Sequence, residues 1–182
     1  MRVITGSCRG KKLKTLESLD TRPTADMVKE AVFSAVQFDV PGASVLDLFA
    51  GSGQLGIEAL SRGAAHCVFV DKNPAAVSVI KENISDCGMN SQSRVLNMDS
   101  LEYLKVAKSG LDIVFIDPPY RMGLVEKSLE NLESKLNDGA IIVCEHEKEL
   151  TLKDEYSSMK LHKRYKYGKI AVTIYKMPLK EE

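Results

Sequence analysis

The residues with the clearest chemical potential are Asp117-Pro118-Pro119-Tyr120, which follow the apolar run 111–116. The two prolines cannot extend a strand ladder or donate a backbone hydrogen bond, so they predict a stiff turn. The Asp117 carboxylate and a free carbonyl of this turn can accept the two hydrogens of a planar amine, and the Tyr120 ring can stack on a flat heterocycle. The motif therefore predicts a cradle for the amino group of a nucleobase, with a plain rigid turn as the simpler alternative.

A glycine-rich turn follows the first predicted strand. Gly51, Gly53 and Gly56 fit the spacing of a nucleotide-binding loop between a strand and a helix. Asp71 ends the second predicted strand, 20 residues after Gly51, where a carboxylate can bond ribose hydroxyls. These residues fit a nicotinamide dinucleotide as well as they fit S-adenosylmethionine.

One further acid favours S-adenosylmethionine, and another could bind the adenine of either cofactor. Asp47 precedes the glycine turn, where a carboxylate is unfavourable beside a pyrophosphate but favourable beside the ammonium and sulfonium of S-adenosylmethionine. Asp99 ends the third predicted strand and could accept a hydrogen bond from an adenine amino group, with Met98 against the ring. A helix N-cap is the alternative role for Asp99, and the two roles are compatible.

Length and composition exclude several classes of protein. The chain has 182 residues, of which 44% are hydrophobic, enough for one well-cored domain. It shows no run long enough for a membrane span and no apolar signal-peptide segment. Its four cysteines are scattered without metal-ligand spacing, so we expect buried thiols, no disulfide framework, no metal and a cytoplasmic location.

Charged residues are unevenly distributed, although the net charge is zero. Residues 1–14 hold five Lys and Arg residues and residues 156–176 hold six, and neither segment holds an acid. This segregation favours contact with a polyanion, with ordinary solvated basic faces as the alternative.

Strand and helix patterns alternate along most of the chain. Strands separated by helices favour right-handed crossovers and a parallel sheet, and Tyr167-Gly168 indicates a hairpin. The sequence therefore predicts a single α/β domain over 1–182, with a doubly wound, mostly parallel seven-stranded sheet, an antiparallel C-terminal hairpin and a small N-terminal extension over 1–24. Predicted helices cover 24–37, 54–62, 74–87, 100–108 and 124–136, and predicted strands cover 44–49, 66–70, 94–98, 111–116, 140–144, 160–166 and 169–176.

Six motifs carry a family resemblance that covers nearly the whole chain. They are RVITG at 2–6, RGKKL at 9–13, TRPT at 21–24, DLFAGSG at 47–53, EALSRGA at 58–64 and DPPY at 117–120. Together they resemble the RsmD family of class I S-adenosylmethionine-dependent methyltransferases. Members of that family are bacterial enzymes that methylate the 2-amino group of one guanine in small-subunit (16S) ribosomal RNA.

The resemblance implies a Rossmann-like fold and a role for each motif. It implies ribosomal RNA as the substrate, in a partly or fully assembled small subunit. Methyl transfer of this kind needs no metal, and nothing in the sequence demands more than a monomer. Asp117, Pro118 and Tyr120 would receive the target guanine as catalytic residues. The cofactor S-adenosyl-L-methionine would be bound by Asp47, Phe49, Gly51, Gly53, Gly56, Asp71, Lys72, Met98 and Asp99. RNA would be bound by Arg2, Arg9, Lys11, Lys12 and Arg22, with a structural arm as the alternative for Arg22.

Three other functions compete with this interpretation. An adenine methyltransferase acting on DNA or RNA would use the same cradle, but the DNA enzymes usually need a target-recognition domain for which this chain has no room. A protein glutamine methyltransferase favours Asn at the position of Asp117. A nucleotide-binding oxidoreductase or a non-catalytic binding module would explain the glycine-rich turn but would leave residues 117–120 without a role.

Overall fold

The computed structural model describes residues 1–16 and 23–180. Its helices are α1 Pro23–Ala35, α2 Gln54–Ser61, α3 Pro74–Asp86, α4 Ser100–Val106 and α5 Leu124–Glu130. Its strands are β1 Ser44–Asp47, β2 His66–Asp71, β3 Ser93–Asn97, β4 Leu111–Ile116, β5 Leu136–Glu147, β6 Glu155–Tyr156, β7 Met159–Tyr167 and β8 Ile170–Lys176.

All these strands form one sheet in the order β3-β2-β1-β4-β5-β8-β7-β6. The first five strands in this order run parallel, and β8, β7 and β6 each run antiparallel to the neighbour before them. The predicted doubly wound, mostly parallel sheet with an antiparallel hairpin is confirmed. Within the described residues, the sheet has eight strands and not the predicted seven, because the two-residue strand β6 pairs with the start of β7. A strand of that length is too short to show a periodic pattern in the sequence.

Two apolar cores lie on the two faces of the sheet. Ile113 and Phe115 of β4 belong to the first core with residues of α1, α2 and α3. Val114 and Ile116 of the same strand belong to the second core with residues of α4 and α5. Successive side chains of a strand point to opposite faces, so continuous apolar strands are covered on both sides.

Each helix begins within one residue of its predicted start, with α1 beginning one residue early at Pro23, and each ends one to six residues before its predicted end. At the start of α3, the Asn73 side chain accepts the Ala75 N–H at 3.0 Å, and Pro74 occupies the first turn. The prediction of a helix over 124–136 is wrong in its second half, because α5 ends at Glu130 and a 3₁₀ turn covers 133–135. Strand β5 begins directly after that turn and is therefore longer than predicted.

The described part of the N-terminal segment, residues 1–16, is fastened to the domain. Val3 and Leu13 are buried in the first core. The carboxylate of Glu58 in α2 accepts the backbone N–H of Ile4 at 2.8 Å and that of Thr5 at 3.0 Å. The segment is thus held in a defined position against α2.

Glu58 also binds two cations in the protein interior. Its carboxylate lies 2.8 Å from the Arg62 Nε and 3.6 Å from the Lys29 Nζ. The Lys29 ammonium donates to the Arg2 carbonyl at 2.6 Å, so the ion cluster also holds the N-terminal segment. Burial lowers the pKa of Lys29, against the opposing charge of Glu58.

The cysteines differ from the prediction in one respect. Cys67 and Cys144 are buried thiols, as predicted. Cys8 and Cys87 are paired as a disulfide, although we expected no disulfide. Their separation of 79 residues gives no spacing signal, because the pair forms only when the N-terminal segment packs against the end of α3.

Candidate active site

The site lies where the strand order changes direction. Strands β1 and β4 are neighbours, and the chain continues from β1 toward one edge of the sheet and from β4 toward the other. Ligands of open α/β sheets bind beyond the carboxyl ends of strands at such a point. The glycine turn after β1 and residues 117–120 after β4 both line one cavity of about 1030 Å³ there. The fold therefore brings the two sequence motifs together.

Carboxylates at the strand ends hold the glycine turn. Asp71 at the end of β2 accepts the N–H of Gly51 at 2.9 Å through one oxygen and that of Asn73 at 2.8 Å through the other. Asp47 accepts the N–H of Gly56 at 2.9 Å. Gly51 has a φ of 55°, in the left-handed region where glycine avoids steric cost. The turn is thus fixed by hydrogen bonds from its backbone N–H groups to these two carboxylates.

Gly56 is required for the contact between α2 and β2. A Cβ atom added there would lie 2.3 Å from Phe69 Cε1 and 2.7 Å from Cys67 Sγ. Such close packing of helix against strand is one of the roles of the glycine fingerprint.

Asp47 is buried at the inner end of the turn. Burial raises its pKa to about 7, the Gly56 N–H opposes this increase, and the negative charge of Asp71 adds to it. Gln54 lines the same cavity, and its Oε1 is buried without a hydrogen-bond donor among the described residues. A ligand with an ammonium group would supply a charge for Asp47 and a donor for Gln54, and S-adenosylmethionine carries such a group next to its sulfonium.

The predicted amine cradle has an acidic interior. Pro118 is buried and Tyr120 is 42% exposed. Burial raises the pKa of Asp117 well above its usual range, and the charges of Glu145 and Asp47 raise it further. Burial and the charges of Glu145 and Asp117 also raise the pKa of Tyr120. A neutral group with several N–H donors is well suited to this environment.

Strand β5 contributes two acids that the sequence analysis missed. The Tyr120 hydroxyl lies 3.5 Å from the Glu145 Oε1, and the Glu147 Oε1 accepts the Arg121 N–H at 3.1 Å. The predicted strand ends at Cys144, which leaves both acids outside it. The alternation of acids at 145 and 147 with buried His146 is the signal that could have extended the strand.

The predicted cofactor residues divide into two groups. Gly53, Gly56 and Met98 do not line the cavity, and Met98 packs against the second core. Asp99 lines the cavity and also caps α4, accepting the N–H of Leu101 at 2.9 Å. The predicted residues that line the cavity are Asp47, Phe49, Gly51, Asp71, Lys72 and Asp99. Lining residues that were not predicted from the sequence include Gln54, Ser100, Leu101, Glu145 and Tyr167–Ile170.

The predicted RNA-binding residues are exposed where the structure describes them. This holds for Arg2, Arg9, Lys11 and Lys12, while Arg22 lies outside the described residues. Arg2 and Lys12 face each other in an antiparallel bridge, which places the basic side chains on one folded segment.

Neither a metal centre nor a membrane span is found in residues 1–16 and 23–180. Within these ranges, no three His, Cys, Asp or Glu side chains are grouped so that they could hold a metal ion. No helix in the same ranges has both the length and the apolar character needed to cross a membrane.

Comparison with known proteins identifies the family. Residues 1–176 match the family model described as conserved hypothetical protein 95. The chain is 38% identical over 181 residues to Bacillus subtilis YlbH, named as an rRNA methyltransferase, with 97% of this chain and 98% of that protein covered. It is 36% identical over 177 residues to the ribosomal RNA small subunit methyltransferase D of Escherichia coli strain K12, with 96% and 89% covered.

A solved structure gives the same result. The Escherichia coli protein yhhF, a methyltransferase by name, superimposes with a TM-score of 0.89 at 35% sequence identity, and 99% of each chain is covered. The family and the class I methyltransferase fold predicted from the motifs are confirmed. The chain therefore belongs to the conserved hypothetical protein 95 family, which is the RsmD family of methyltransferases.

Proposed function

We propose that this protein transfers a methyl group from S-adenosylmethionine to the 2-amino group of a guanine in small-subunit ribosomal RNA. The observation that supports this most strongly is the shared cavity of about 1030 Å³, which is lined by both the glycine turn and the Asp117–Tyr120 cradle. The first can hold the methyl donor and the second can hold an amine acceptor, so the two reactants would meet in one place.

The residues around the glycine turn fit the cofactor. Asp47 and Gln54 would bind its ammonium, Asp71 with Lys72 would bind its ribose, and Asp99 would bind its adenine amino group. When bound, S-adenosylmethionine supplies an electrophilic methyl group on a sulfonium. The Asp47 carboxylate, which lines the cavity at the turn, would be unfavourable beside an anionic pyrophosphate, and this argues against a dinucleotide.

The cradle would activate the acceptor amine. The lone pair of a guanine 2-amino group is delocalised into the ring, which makes the amine a poor nucleophile. Hydrogen bonds from this amino group to the Asp117 carboxylate and the Pro118 carbonyl would localise its lone pair and orient it toward the methyl group. Orientation of reactants contributes up to about 7–11 kcal/mol in favourable cases. Stacking on Tyr120 would add about 1–3 kcal/mol for the base.

The basic N-terminal segment would contact the RNA backbone. Its exposed cations can neutralise phosphates without reading sequence, so the choice of one guanine would come from RNA shape and from the pocket. One chain contains the cradle, the glycine turn and the basic segment, and this supports a monomeric enzyme. We propose that the chain acts as a single domain over 1–182, with 1–24 as the RNA-facing extension. A partly or fully assembled small subunit is the substrate that we propose, which places the reaction in the cytoplasm.

The proposal is tested by cofactor binding and by transfer of label. S-adenosylmethionine should raise the melting temperature of the protein, and NADH should not. Radiolabel from S-adenosylmethionine should then enter small subunits isolated from a strain that lacks the enzyme. Stabilisation by NADH alone would contradict the proposal, and so would the absence of label from small subunits, from partly assembled particles and from naked ribosomal RNA.

A further inference from the structure

Glu145 lines the cavity, and the proposed reaction assigns no role to this acid. Its neighbour Cys144 is in register with Ile116 of β4, so Asp117 and Glu145 follow at adjacent positions of the two strands. Adjacent positions of paired strands present their side chains on the same face. Both residues line the cavity that is proposed to hold the acceptor base. The two carboxyl groups therefore lie side by side in the acceptor part of the site.

The two carboxyl groups lack a cationic partner among residues 1–16 and 23–180. Within these ranges, no lysine or arginine forms an ion pair with Asp117 or Glu145. Lys29 borders the adjoining small cavity, but its ammonium is bound to the Arg2 carbonyl and Glu58. Partly buried carboxylates need hydrogen-bond donors. A ligand with N–H groups along one edge would supply donors to both.

We propose that Glu145 reads the Watson–Crick edge of the target guanine by accepting its N1–H. Asp117 and the Pro118 carbonyl would accept the hydrogens of the adjoining 2-amino group. This inference rests on the proposed function and adds the group that selects the base. Adenine carries a lone pair at the ring nitrogen beside its amino group, and a carboxylate facing that lone pair is repelled. Glu145 thus favours guanine over adenine in a cradle that could hold either amine.

A positioning role for Glu145 is the competing explanation. The Tyr120 hydroxyl lies 3.5 Å from its carboxylate, so Glu145 could act only by fixing that ring. Glu147 provides a matched control, because it is on the same face of β5 and holds the turn through the Arg121 N–H at 3.1 Å. Unlike Glu145, Glu147 does not line the main cavity.

The test compares two bases at the modified position. Small subunits are reconstituted with either guanine or 2-aminopurine there, after the position has been mapped by labelling. 2-Aminopurine keeps the 2-amino group but has a lone pair in place of the N1–H. The wild-type enzyme should prefer guanine by about 10- to 100-fold in kcat/KM, the range for one hydrogen bond to a charged group. Glu145→Gln, whose amide can donate to the lone pair, should abolish or reverse this preference.

Two control variants separate base reading from positioning. Tyr120→Phe and Glu147→Gln should slow both substrates by the same factor and keep the preference for guanine. An undiminished preference for guanine in Glu145→Gln would overturn the inference. Equal rates of the wild-type enzyme on the two bases would also overturn it, and that measurement needs no variant. Melting temperature and S-adenosylmethionine affinity verify that each variant is folded. Failure of the wild-type enzyme to form 2-methylguanosine on normal subunits would instead overturn the proposed function.

Discussion

The Asp71 carboxylate accepts the backbone N–H of Gly51 at 2.9 Å and thereby ties the end of β2 to the turn that follows β1. Its second oxygen accepts the Asn73 N–H at 2.8 Å at the start of α3. A carboxylate has about four acceptor positions, so two remain for ribose hydroxyls in the cavity that Asp71 lines. The acid assigned to ribose binding therefore also shapes the loop that holds the rest of the cofactor.

Asp71→Asn should weaken both functions. The amide replaces one acceptor oxygen with a donor that faces a backbone N–H, at a cost of about 1–3 kcal/mol in the free energy of unfolding. We expect the melting temperature to fall and the S-adenosylmethionine Kd to rise at least about tenfold by calorimetry. Asp86→Asn, which changes an exposed acid at the end of α3, should alter neither. An unchanged Kd in Asp71→Asn would show that cofactor binding does not depend on this carboxylate.

Asp117→Ala should strongly reduce methyl transfer and leave cofactor binding nearly intact. Its carboxylate is assigned to the acceptor amine, and loss of one such positioned group typically costs about 100- to 1000-fold in kcat. The S-adenosylmethionine Kd, measured in parallel, should stay within about twofold, because other residues bind the cofactor in this account. Equal losses of transfer and of cofactor affinity would identify Asp117 as a structural residue.

The free protein should lose stability as the pH rises from 4 to 7, in part because of Asp47. Its pKa is about 7 in the folded protein and has an ordinary value of 3.8. Between these values the unfolded chain has released a proton that the folded protein retains, so the free energy of unfolding falls as the pH rises and levels off above pH 7. The contribution of this one group is about 4 kcal/mol.

Urea denaturation of Asp47→Asn across this pH range measures that contribution. The amide does not titrate and retains an oxygen acceptor for the Gly56 N–H, so the fall in stability should be smaller than in the wild-type protein. Some of the fall should remain, because burial also raises the pKa of Asp117 and Glu145. The same pH dependence in both proteins would mean that Asp47 titrates normally when folded.

Gly56→Ala should destabilise the protein because of its packing. The added methyl would lie 2.3 Å from Phe69 Cε1, so the helix or the ring must move. Overpacking of this kind costs about 1–3 kcal/mol in the free energy of unfolding, which urea denaturation would report. Adding Phe69→Leu should recover part of the loss. Wild-type stability of Gly56→Ala would contradict the close contact between α2 and β2.

Replacing Arg9, Lys11 and Lys12 together with Gln should weaken RNA binding and reduce its salt dependence. For every phosphate that the variant no longer neutralises, the slope of log K against log salt should become shallower by about 0.7–0.9. The melting temperature should not change, because all three side chains are exposed. Replacement of the exposed Lys81, Lys108 and Lys127 serves as the control. If both triple variants bind RNA with the same affinity and salt dependence, the N-terminal segment does not bind the RNA.

Sequence reasoning succeeded where the signal is local. The glycines at 51, 53 and 56 and the prolines at 118 and 119 restrict the backbone wherever they occur, so the positions of both turns could be predicted. The apolar run 111–116 was found with its observed boundaries because it is buried on both faces of the sheet.

Features created by tertiary contacts were missed. Glu145 becomes part of the site only because β5 extends to Glu147 beside β4. The Cys8–Cys87 pair and the hydrogen bonds of Glu58 with Ile4 and Thr5 join residues more than 50 positions apart. No local pattern encodes such pairs, since they depend on how the N-terminal segment packs against α2 and α3.

Identifying the nucleoside that receives the methyl group is the most direct test of the proposed reaction. Small subunits from a strain lacking the enzyme are incubated with the protein and radiolabelled S-adenosylmethionine, and their RNA is digested to nucleosides and separated. We expect the label in 2-methylguanosine. Label in a methyladenosine would contradict this expectation, because the same cradle would then serve a different base.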